Sequence, residues 1–422
     1  MKKNILVIGG GGREHAIVHA LSKSEGVGKL YCIPGNAGIA SLAECHGEIK
    51  ATELEKIVAF VEAHEDIALT VVAPDDPLAL GLVDMLEQKG HRAFGPHANA
   101  AIIESSKVFA KNLMKKYGIA TAAYEVFDDY AAAESYLNTC AYPVVLKADG
   151  LALGKGVLIC ATREEARAGL KEIMLDRAFG EAGAKIVVEE FLQGFEVSVL
   201  AFTDGKTLVP MVSSQDHKRA LDGDKGLNTG GMGTFSPQAK FTPAMQKEAY
   251  EKIFLPTVRA MEKEGRPFKG VLYFGLMVTD KGIKVLEYNA RFGDPETQVI
   301  LPRLKTDLLA VFEACIDGTL DKLTLTWDER AAVCVVAASG GYPLKYEKGK
   351  PIAFGKIDEG VLVFHAGTAL SEKGEIVTSG GRVLGVTALG KSLSEAKKLA
   401  YENIAKIHFD GMFYRKDIAK DY

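Results

Sequence analysis

The chain has 422 residues, a length typical of about two to four domains, and its 47% hydrophobic and 25% charged residues are ordinary for a globular protein. Its 51 basic and 55 acidic residues give a formal charge of −4, which gives no support for a broad nucleic-acid or membrane surface. The six cysteines are scattered, and neither a bilayer-spanning apolar run nor a signal peptide is recognisable, so we expect a cytoplasmic protein with reduced thiols.

Residues 1–104 predict an open α/β domain. Continuous apolar runs predict strands at 4–10, 29–35, 68–74 and 92–96, and the segments between them predict helices at about 14–24, 52–64 and 77–89. Alternating strands and helices imply a parallel sheet with right-handed crossovers.

A glycine-rich turn, Gly9 to Gly12, follows the first strand. It does not complete the dinucleotide-binding pattern G-x-G-x-x-G, because Glu14 or His15 stands where the third glycine is required. Glycines before a helix still expose backbone N–H groups to an anion, and Arg13 and His15 could add donors. Two interpretations are equally open: the turn binds a substrate phosphate, or it is a tight turn without a ligand.

Residues 105–160 predict a helix at 105–117 that carries Lys107, then a strand, a glycine-rich loop and a strand at 142–160. Lys147 ends the first of these strands, and the loop contains Gly150, Gly154, Lys155 and Gly156. The loop is not a Walker A motif, since glycine follows the lysine and no helix comes next. A glycine loop between strands, with a lysine on the strand, is typical of a nucleotide site in which the loop covers phosphates. A long hairpin connection is the alternative.

Residues 186–202 predict a strand, a short break and a second strand. Glu189, Glu190, Phe191 and Leu192 lie where a chain could bridge two subdomains, and backbone groups at such a hinge can pair with an adenine edge. Glu196 could accept hydrogen bonds from ribose hydroxyls. Taken singly, these acids would more often be surface residues.

The segment 213–237 is the longest polar, glycine-rich stretch, and we expect it to be non-regular. It contains a charged cluster and a Gly-Gly turn, which favour a loop for a substrate phosphate or sugar; the residues are Asp216, His217, Lys218, Asn228, Thr229, Gly230, Gly231 and Met232.

A helix is predicted at 242–264, followed by a β-hairpin whose turn falls at 280–282. On its second strand, Glu287 and Asn289 are two residues apart and therefore share one face. Carboxylate and amide oxygens suit Mg²⁺ completed by substrate phosphates, and Arg291 could bind phosphate or carboxylate beside them. A solvated strand end is the alternative.

A further helix is predicted at 307–317 and a linker at 319–330. The remaining residues, 331–422, predict β-rich runs at 331–339, 360–370 and 381–390 and a helix at about 394–407, with no catalytic constellation.

Five segments, in this order, resemble the ATP-grasp superfamily and, within it, the phosphoribosylamine–glycine ligases (glycinamide ribonucleotide synthetases). They are GGGGREHA at 9–16, KADGLALGKGV at 147–157, SQDHKR at 214–219, NTGGMG at 228–233 and RFGDPETQ at 291–298. The resemblance implies an α/β and α+β multidomain fold. Its parts would be an N-terminal open parallel sheet (the pre-ATP-grasp domain, 1–104), an ATP-grasp domain (105–318, lid about 120–190), the linker, and a small β-rich C-terminal domain (331–422).

The resemblance also implies an ATP-dependent ligase of de novo purine biosynthesis. It would join glycine to 5-phosphoribosylamine through glycyl phosphate, giving glycinamide ribonucleotide, ADP and phosphate. The implied partners are small molecules only, without nucleic acid or membrane, and we expect a monomer.

The residues matched to the family divide into three implied sets. ATP would contact Lys107, Lys147, Gly150, Gly154, Lys155, Gly156, Glu189, Glu190, Phe191, Leu192 and Glu196. Mg²⁺ or Mn²⁺ would be held by Glu287 and Asn289. Phosphoribosylamine and glycine would contact Gly11, Gly12, Arg13, Glu14, His15, Asp216, His217, Lys218, Asn228, Thr229, Gly230, Gly231, Met232, Arg291 and Asp294. Arg291, Asp294 and Asp216 are the catalytic candidates, without a clear general base.

Three positions depart from the expected pattern. Gly275 stands where many ATP-grasp enzymes carry a second metal-binding acid, and Ser105 and Asp75 replace an expected glycine and glutamate. The alternatives are a ligase or carboxylase for another acid, a nicotinamide oxidoreductase and a non-catalytic nucleotide-binding regulator. The broken glycine fingerprint argues against the oxidoreductase, and the retained Lys107, Lys147 and Glu287 argue against the regulator.

Overall fold

The structure, a computed structural model, describes residues 2–151 and 156–420. The predicted fold class is confirmed: an N-terminal parallel sheet is followed by two antiparallel sheets and a small C-terminal antiparallel sheet. Among the residues that the structure describes, no helix has the length and apolar character needed to cross a membrane.

The N-terminal sheet has five parallel strands in the order β3-β2-β1-β4-β5. The strands are β1 Lys3–Gly9, β2 Val27–Pro34, β3 Glu44–Cys45, β4 Ile67–Val72 and β5 Ala93–Phe94, and the helices are α1 Gly12–Leu21, α2 Leu54–Ala63, α3 Asp75–Ala79, α4 Leu82–Gln88 and α5 Ala98–Ser105. The strand order reverses beside β1. The glycine turn after β1 therefore lies at the switch point where open α/β sheets bind their ligands.

Two predictions for this domain are wrong in detail. The single helix expected at 77–89 is two helices, because Gly81 adopts a left-handed backbone with φ of 91° between α3 and α4. Helix α5 was not predicted, and the helix expected at 105–117 begins after it. Ser106 separates the two, and its hydroxyl caps the second helix by accepting a hydrogen bond from Phe109 N at 3.0 Å.

The next unit, which we call the lid, is an antiparallel sheet in the order β6-β9-β7-β8. Its elements, with the helix that leads into it, are α6 Lys107–Tyr117, β6 Tyr124–Phe127, α7 Tyr130–Leu137, β7 Val144–Ala148, β8 Val157–Cys160, α8 Arg163–Met174 and β9 Ile186–Glu190. The lid packs α7 and α8 around a hydrophobic cluster of its own, built on residues such as Leu146 and Ile173.

The central antiparallel sheet has the order β11-β10-β16-β17. Its strands are β10 Phe195–Asp204, β11 Leu208–Pro210, β16 Lys269–Thr279 and β17 Gly282–Asn289, and the associated helices are α9 Pro243–Ala249, α10 Leu255–Lys263, α11 Thr297–Ile300 and α12 Leu308–Asp317. The hairpin predicted from the sequence is β16–β17. The helix expected at 242–264 is α9 and α10, joined by a π-helical turn at Tyr250–Phe254.

The segment 213–237 is not the non-regular loop that was expected. It forms β12 Gln215–Asp216, the hairpin strands β13 Arg219–Leu221 and β14 Lys225–Asn228, and β15 Gly233–Ser236. Strands β12 and β15 join the C-terminal domain in one sheet of order β12-β15-β18-β23-β20. Short strands of two to four residues have too few apolar positions to show a period in the sequence, and their partner β18 begins almost a hundred residues later.

The C-terminal domain completes that sheet. Its strands are β18 Ala331–Ala338, β19 Ala353–Phe354, β20 Leu362–His365, β21 Thr368–Leu370, β22 Ile376–Thr378, β23 Arg382–Gly390 and β24 Ile407–His408, and its helix is α13 Leu393–Ile404. One hydrophobic cluster joins the N-terminal sheet, the central sheet and β18, through residues such as Ile5, Phe202 and Cys334. The N-terminal domain, the central sheet and β18 of the C-terminal domain therefore share a core, while the lid has its own.

Candidate active site

A cavity of about 1610 Å³ lies between the lid, the central sheet and the C-terminal domain. It brings together most of the residues predicted from the sequence. Those lining it are Arg13, Lys107, Lys147, Gly150, Gly156, Glu189, Glu190, Phe191, Leu192, Glu196, Asp216, His217, Lys218, Asn228, Thr229, Gly230, Glu287, Asn289, Arg291 and Asp294.

Five predicted residues line neither this cavity nor the smaller one described below: Gly12, Glu14, His15, Gly231 and Met232. These five residues lie behind the residues that line the two cavities. Gly154 and Lys155 lie outside the described residues.

Glu287 occupies the floor of the large cavity on strand β17. Its Oε1 lies 3.3 Å from Lys218 Nζ, and the same ammonium lies 3.6 Å from Glu196 Oε2. Attraction by Lys218, and then by Lys147 and Lys107, outweighs burial and lowers the pKa of Glu287 to about 2. Glu287 is therefore an anion at any physiological pH, as a ligand for a hard cation must be.

Asn289 lies two residues along on the same strand. Its amide group is satisfied when the NH₂ group donates to Glu104 Oε1 at 3.0 Å and to Tyr288 O at 3.3 Å. That orientation turns the amide carbonyl oxygen away from Glu104. An anionic and a neutral oxygen donor on one strand face suit Mg²⁺ or Mn²⁺, and the residues therefore fit a metal bound together with phosphate oxygens. Within residues 2–151 and 156–420, no cluster of three or more His, Cys, Asp or Glu side chains could hold a metal alone.

Glu104, on α5, anchors the chain after β17. It accepts a hydrogen bond from Ala290 N at 2.7 Å and pairs with Arg291 Nη2 at 3.0 Å. Burial alone would lower the pKa of Arg291, but Glu104, Asp75 and Glu296 together outweigh it and raise that pKa. The Nε of Arg291 is buried and has no hydrogen-bond partner within the described structure, so it remains a donor for a ligand.

The lid presents its cations through β7 and the start of α6. Lys147 Nζ, on β7, donates to Leu286 O of the central sheet at 2.9 Å, and Lys107 Nζ donates to Gly150 O at 2.8 Å. Burial lowers the pKa of Lys107. Asp149, at the start of the glycine loop, accepts from Ser106 Oγ at 3.1 Å, so the N-terminus of α6 holds the loop.

One end of the cavity is apolar. Ala122, Leu192 and Met277 form a small buried cluster with Leu286 packed against it. This cluster lies beside the passage from β9 to β10, at 190–195, where the chain leaves the lid for the central sheet. An apolar cavity wall next to a connecting segment can pack against an aromatic base, and the segment's backbone can recognise the base edge.

Glu189, which was predicted to contact adenine, has its side chain buried beneath this end. Its two carboxylate oxygens lie 3.0 Å from Lys147 Nζ and 3.0 Å from Lys111 Nζ, respectively. The structure therefore places the Glu189 side chain in a charged triad with two lysines, only one of which was predicted.

Two carboxyl groups, Asp216 and Glu296, line the cavity, and their charges interact. Burial and then the charge of Glu296 raise the pKa of Asp216 well above its usual value, and burial also raises the pKa of Glu296. Glu296 Oε1 accepts from Tyr273 Oη at 3.1 Å, and Tyr273 Oη lies 2.8 Å from Ser198 Oγ. Such a pair can hold or take up a proton during a reaction.

Arg382, on β23 of the C-terminal domain, reaches the same region. Its Nη1 donates to Gly230 O and Asp294 O, both at 2.7 Å, and its Nη2 lies 3.4 Å from Asp294 Oδ2. Burial would raise the pKa of Asp294, but Arg382 and Arg13 outweigh it and lower that pKa. Asp294 is therefore charged and fixed.

A second cavity, of about 370 Å³, lies on the other side of Arg382 and Asp294. Its walls come from the glycine turn after β1 and from the C-terminal domain; they include Gly10, Gly11, Asn36, Gly367, Thr368 and Ser379. Arg382, Asp294 and Tyr342 line both cavities, so one charged partition separates the two.

The glycine turn is held from behind by its own helix. Glu14 Oε2 accepts from Gly11 N at 2.6 Å, while Glu14 Oε1 pairs with Arg13 Nε at 2.5 Å. His15 Nδ1 accepts from His365 N at 2.8 Å, which ties α1 to the C-terminal domain. Glu14 and His15 are thus supports of the turn in this structure.

His217 faces the cavity but is also tied to the scaffold. Its Nδ1 lies 3.3 Å from Gly233 O, and its Nε2 accepts from Ala419 N at 3.4 Å. Burial lowers the pKa of His217 to about 4, so the ring is neutral at physiological pH. Nearby, Thr229 Oγ1 donates to Lys218 O at 2.9 Å and accepts from Gly231 N at 3.0 Å, which closes the loop.

Sequence reasoning missed four residues at the site: Glu104, Lys111, Glu296 and Arg382. Glu296 lies inside the RFGDPETQ segment and could have been included from that match. Arg382 follows two glycines after a short β-rich run, which is a weak signal on its own. Glu104 and Lys111 are single charges in helical segments, where a solvated surface is the ordinary expectation.

Three family models match the chain in sequence order. They are the N domain of phosphoribosylglycinamide synthetase at residues 3–104, its ATP-grasp (A) domain at 105–297 and its C domain at 332–421. Curated relatives extend over the full length. A phosphoribosylamine–glycine ligase of Caldanaerobacter subterraneus subsp. tengcongensis is 51% identical over 99% of this chain and 100% of its own. One of Halalkalibacterium halodurans is 49% identical over 98% of this chain and 96% of its own.

Solved structures agree. The crystal structure of phosphoribosylamine–glycine ligase from Thermotoga maritima is 36% identical, with a TM-score of 0.86, and covers 98% of this chain and 100% of its own. The biotin carboxylase domain of Hydrogenobacter thermophilus 2-oxoglutarate carboxylase, in complex with MgADP and bicarbonate, has a TM-score of 0.75 at 16% identity, over 98% and 92% of the two chains. That likeness shows a shared fold. The chain therefore belongs to the phosphoribosylglycinamide synthetase family and is a carbon–nitrogen ligase of the ATP-grasp superfamily.

Proposed function

We propose that this ligase joins glycine to 5-phosphoribosylamine with the cleavage of ATP to ADP and phosphate, by way of glycyl phosphate, and so forms glycinamide ribonucleotide for purine biosynthesis. The relatives' names support the substrates. The observation that carries the proposal is the pair of neighbouring cavities that share one charged wall. The larger has cations and an acidic strand face for ATP and metal, and the smaller adds a glycine-turn wall for a second phosphorylated substrate.

ATP takes the large cavity. The adenine packs against the apolar wall beside Leu192 and Leu286, with the backbone of 189–192 at its edge. Glu196 accepts from the ribose hydroxyls, and Lys107 and Lys147 face the phosphates. Gly150 and Gly156 line the same cavity. Closure of a loop over a transferring phosphoryl group excludes water from it.

Glu287 and Asn289 hold Mg²⁺ or Mn²⁺ in this proposal, together with phosphate oxygens. A bound divalent ion supplies charge neutralisation for the phosphoryl group as it moves. Lys218 is the cation that pairs with Glu287 in the structure. It lies at the boundary between the phosphates and the second substrate, where it can pair with either.

Glycine lies near Arg291 and Asp294. The unpartnered Nε of Arg291 donates to the glycine carboxylate and orients one oxygen towards the γ-phosphorus of ATP. Asp294, kept anionic by Arg382 and Arg13, pairs with the glycine ammonium. The guanidinium is itself held by Glu104, so it is positioned before the substrate arrives.

Phosphoribosylamine spans the charged partition. Its phosphate lies in the smaller cavity, where the N-terminus of α1 and Arg382 can bind an anion. Its amine then points into the large cavity, towards Asp216. The supporting contact is Arg382, whose guanidinium lines both cavities and holds the loop carbonyl of Gly230.

The reaction follows in two displacements. A glycine carboxylate oxygen attacks the γ-phosphorus, the bond to ADP breaks, and glycyl phosphate forms. The ribosylamine nitrogen then attacks the acyl carbon, phosphate leaves with the bonding electron pair, and the amine gives up a proton. In this proposal Asp216 takes that proton, because its carboxyl group lines the large cavity into which the amine points and its pKa is raised.

The decisive measurement is ADP release with Mg²⁺-ATP, freshly prepared phosphoribosylamine and a panel of amino acids. ADP is expected only when glycine and the ribosylamine are both present. Glu287→Gln should abolish turnover, whereas Glu372→Gln, at an exposed position of the C-terminal domain, should leave it unchanged. ADP with another amino acid or amine would overturn the proposed substrates and leave the ATP site intact.

A further inference from the structure

A buried charge triad lies where the lid meets the central sheet. It consists of Lys111 on α6, Glu189 on β9 and Lys147 on β7, which are 3%, 3% and 6% exposed. Each oxygen of Glu189 faces one lysine at 3.0 Å. One anion between two cations leaves a net charge of +1 in a region from which water is largely excluded.

The two lysines face different surroundings. Lys147 donates to Leu286 O at 2.9 Å and, with Lys107, is one of the lysines whose charge acts on Glu287. Lys111 instead donates to Thr121 Oγ1 at 2.7 Å, and Thr121 Oγ1 donates to Val285 O at 2.7 Å. Its ammonium also lies 5.6 Å from the centre of the Tyr124 ring. Lys147 is therefore on the phosphate and metal side, and Lys111 is on the hinge side.

Lys111 is costly at this position. Burial lowers its pKa to about 8, although Glu189 opposes that effect. Helix α6 could satisfy its packing with an apolar residue here, as it does at Leu113 and Met114. A charged side chain at this buried position requires an ion-pair partner, and the partner of Lys111 is Glu189.

We propose that Lys111 is a positioning residue for the phosphates of ATP: by taking one oxygen of Glu189, it leaves Lys147 with an uncompensated positive charge facing the cleft. Without Lys111, Glu189 and Lys147 form a neutral pair. The attraction of that pair for phosphate then falls, and both Glu189 oxygens draw Lys147 Nζ towards the hinge. This role rests on the proposed contact between Lys147 and the phosphates.

The test measures how nucleotide affinity depends on phosphate charge. Dissociation constants for adenosine, AMP, ADP and ATP, each with Mg²⁺, are measured by calorimetric titration on the full chain. In Lys111→Met, the affinity for ATP relative to adenosine is expected to fall ~10- to 100-fold, the loss of one charge-assisted contact. The loss should grow from AMP to ATP. Lys115→Met, an exposed lysine one turn along the same helix, is the matched control and should leave the ratio unchanged.

A second variant separates charge from folding. Lys111→Met/Glu189→Met removes the cation and the anion together, so Lys147 again carries a net positive charge, held by Leu286 O. The ratio of ATP to adenosine affinity should return to within about threefold of the wild type. A role confined to stability predicts further damage in the double variant instead.

Three outcomes overturn the inference. An unchanged ratio in Lys111→Met would show that Lys147 does not need Lys111. An equal loss for adenosine and ATP would place Lys111 against the base. If the ratio of ATP to adenosine affinity in the double variant is no higher than in Lys111→Met, the charge argument is wrong. If the wild type itself binds ATP no more tightly than adenosine, the proposed role of Lys147 fails first, which is a distinct result.

Discussion

At the scale of single residues, Arg382 links parts of the chain that lie far apart in the sequence. Its guanidinium holds carbonyl oxygens of Gly230 and Asp294 and lines both cavities. A planar fork can satisfy two carbonyls and still present a donor to a phosphate, which a lysine ammonium cannot do with the same geometry.

Arg382→Lys is therefore expected to raise the KM for phosphoribosylamine ~10- to 100-fold while changing the KM for ATP less than about threefold, since the charge stays and the fork is lost. Initial rates with each substrate varied in turn would measure both constants. Arg330→Lys, an exposed arginine paired with Asp328, is the control and should change neither. A parallel rise in both KM values would mean that Arg382 supports the whole cleft and not the second substrate.

Gly231 lies where any side chain would clash with neighbouring residues. Its φ is 117°, and a Cβ atom there would lie 2.4 Å from Pro295 Cδ and 2.6 Å from Asp216 Oδ1. Gly231→Ala should therefore displace Asp216 and lower kcat at least ~100-fold.

Backbone strain and steric contact can be separated with a second glycine. Gly374 has a φ of 78°, and a Cβ atom there would meet nothing within 4 Å. Gly374→Ala carries the strain of a left-handed backbone without the clash, and it should cost about 1 kcal/mol of stability with kcat unchanged. Equal kcat values in the two variants would show that Asp216 tolerates the displacement.

At the scale of elements, the junction of α5 and α6 determines how the glycine loop begins. Ser106 caps α6 through Phe109 N and also donates to Asp149, which additionally accepts from Val108 N at 3.0 Å. The start of one helix thus carries both a cap and the first contact of the loop.

Ser106→Ala is expected to cost about 1 kcal/mol of stability through the lost cap and to raise the KM for ATP ~3- to 10-fold, because Asp149 loses one of its anchors. Thr242→Ala removes the cap of α9, in which the Thr242 hydroxyl accepts a hydrogen bond from Met245 N at 3.3 Å. It should cost similar stability without affecting ATP. Thermal unfolding and steady-state kinetics would compare the two, and equal KM values would reduce Ser106 to a cap alone.

How far the sequence could predict the site depends on which elements supply its residues. The shared strand face of Glu287 and Asn289 could be predicted because period-two spacing within one strand is local information. The pairing of β12 and β15 with β18 was not found, because no pattern in such short strands names a partner so distant. Glu104, Lys111 and Arg382 were not predicted for the same reason. Packing between distant elements brings each of them to the site, and the residues next to them in the sequence do not indicate it.

At the scale of the whole molecule, the N-terminal and C-terminal domains meet through histidines. His15 Nδ1 accepts from His365 N, and the ring of His15 lies 5.6 Å from that of His365 and 5.7 Å from Phe364. Burial, followed by repulsion from His365, lowers the pKa of His15 to about 3. Burial also lowers the pKa of His365 to about 4.

The direction of the pH effect follows from these shifts. The unfolded chain binds a proton at His15 below its ordinary pKa of 6.5, whereas the folded chain does not until about 3. Stability from this group is therefore complete above pH 6.5 and is lost as the pH falls. Between pH 6.5 and 5, about 2 kcal/mol is expected to disappear through His15 alone.

Denaturant unfolding at these two pH values would measure the loss. His15→Asn keeps an acceptor for the amide of His365 but cannot titrate, so its stability should change less with pH. His408→Asn, at an exposed histidine of the same C-terminal domain, should behave as the wild type. An unaltered pH dependence in His15→Asn would assign acid sensitivity to other groups.

The sheet that unites β12 and β15 with β18, β23 and β20 has a consequence for synthesis on the ribosome. Asp216 and the Gly230–Gly231 turn leave the exit tunnel about a hundred residues before β18, the strand that β15 needs as its neighbour. A nascent chain can complete its N-terminal sheet and its lid early, but the wall that we propose for the second substrate stays unfinished until translation is nearly over. The order of translation therefore leaves this wall without its neighbouring strand until the last domain has been made.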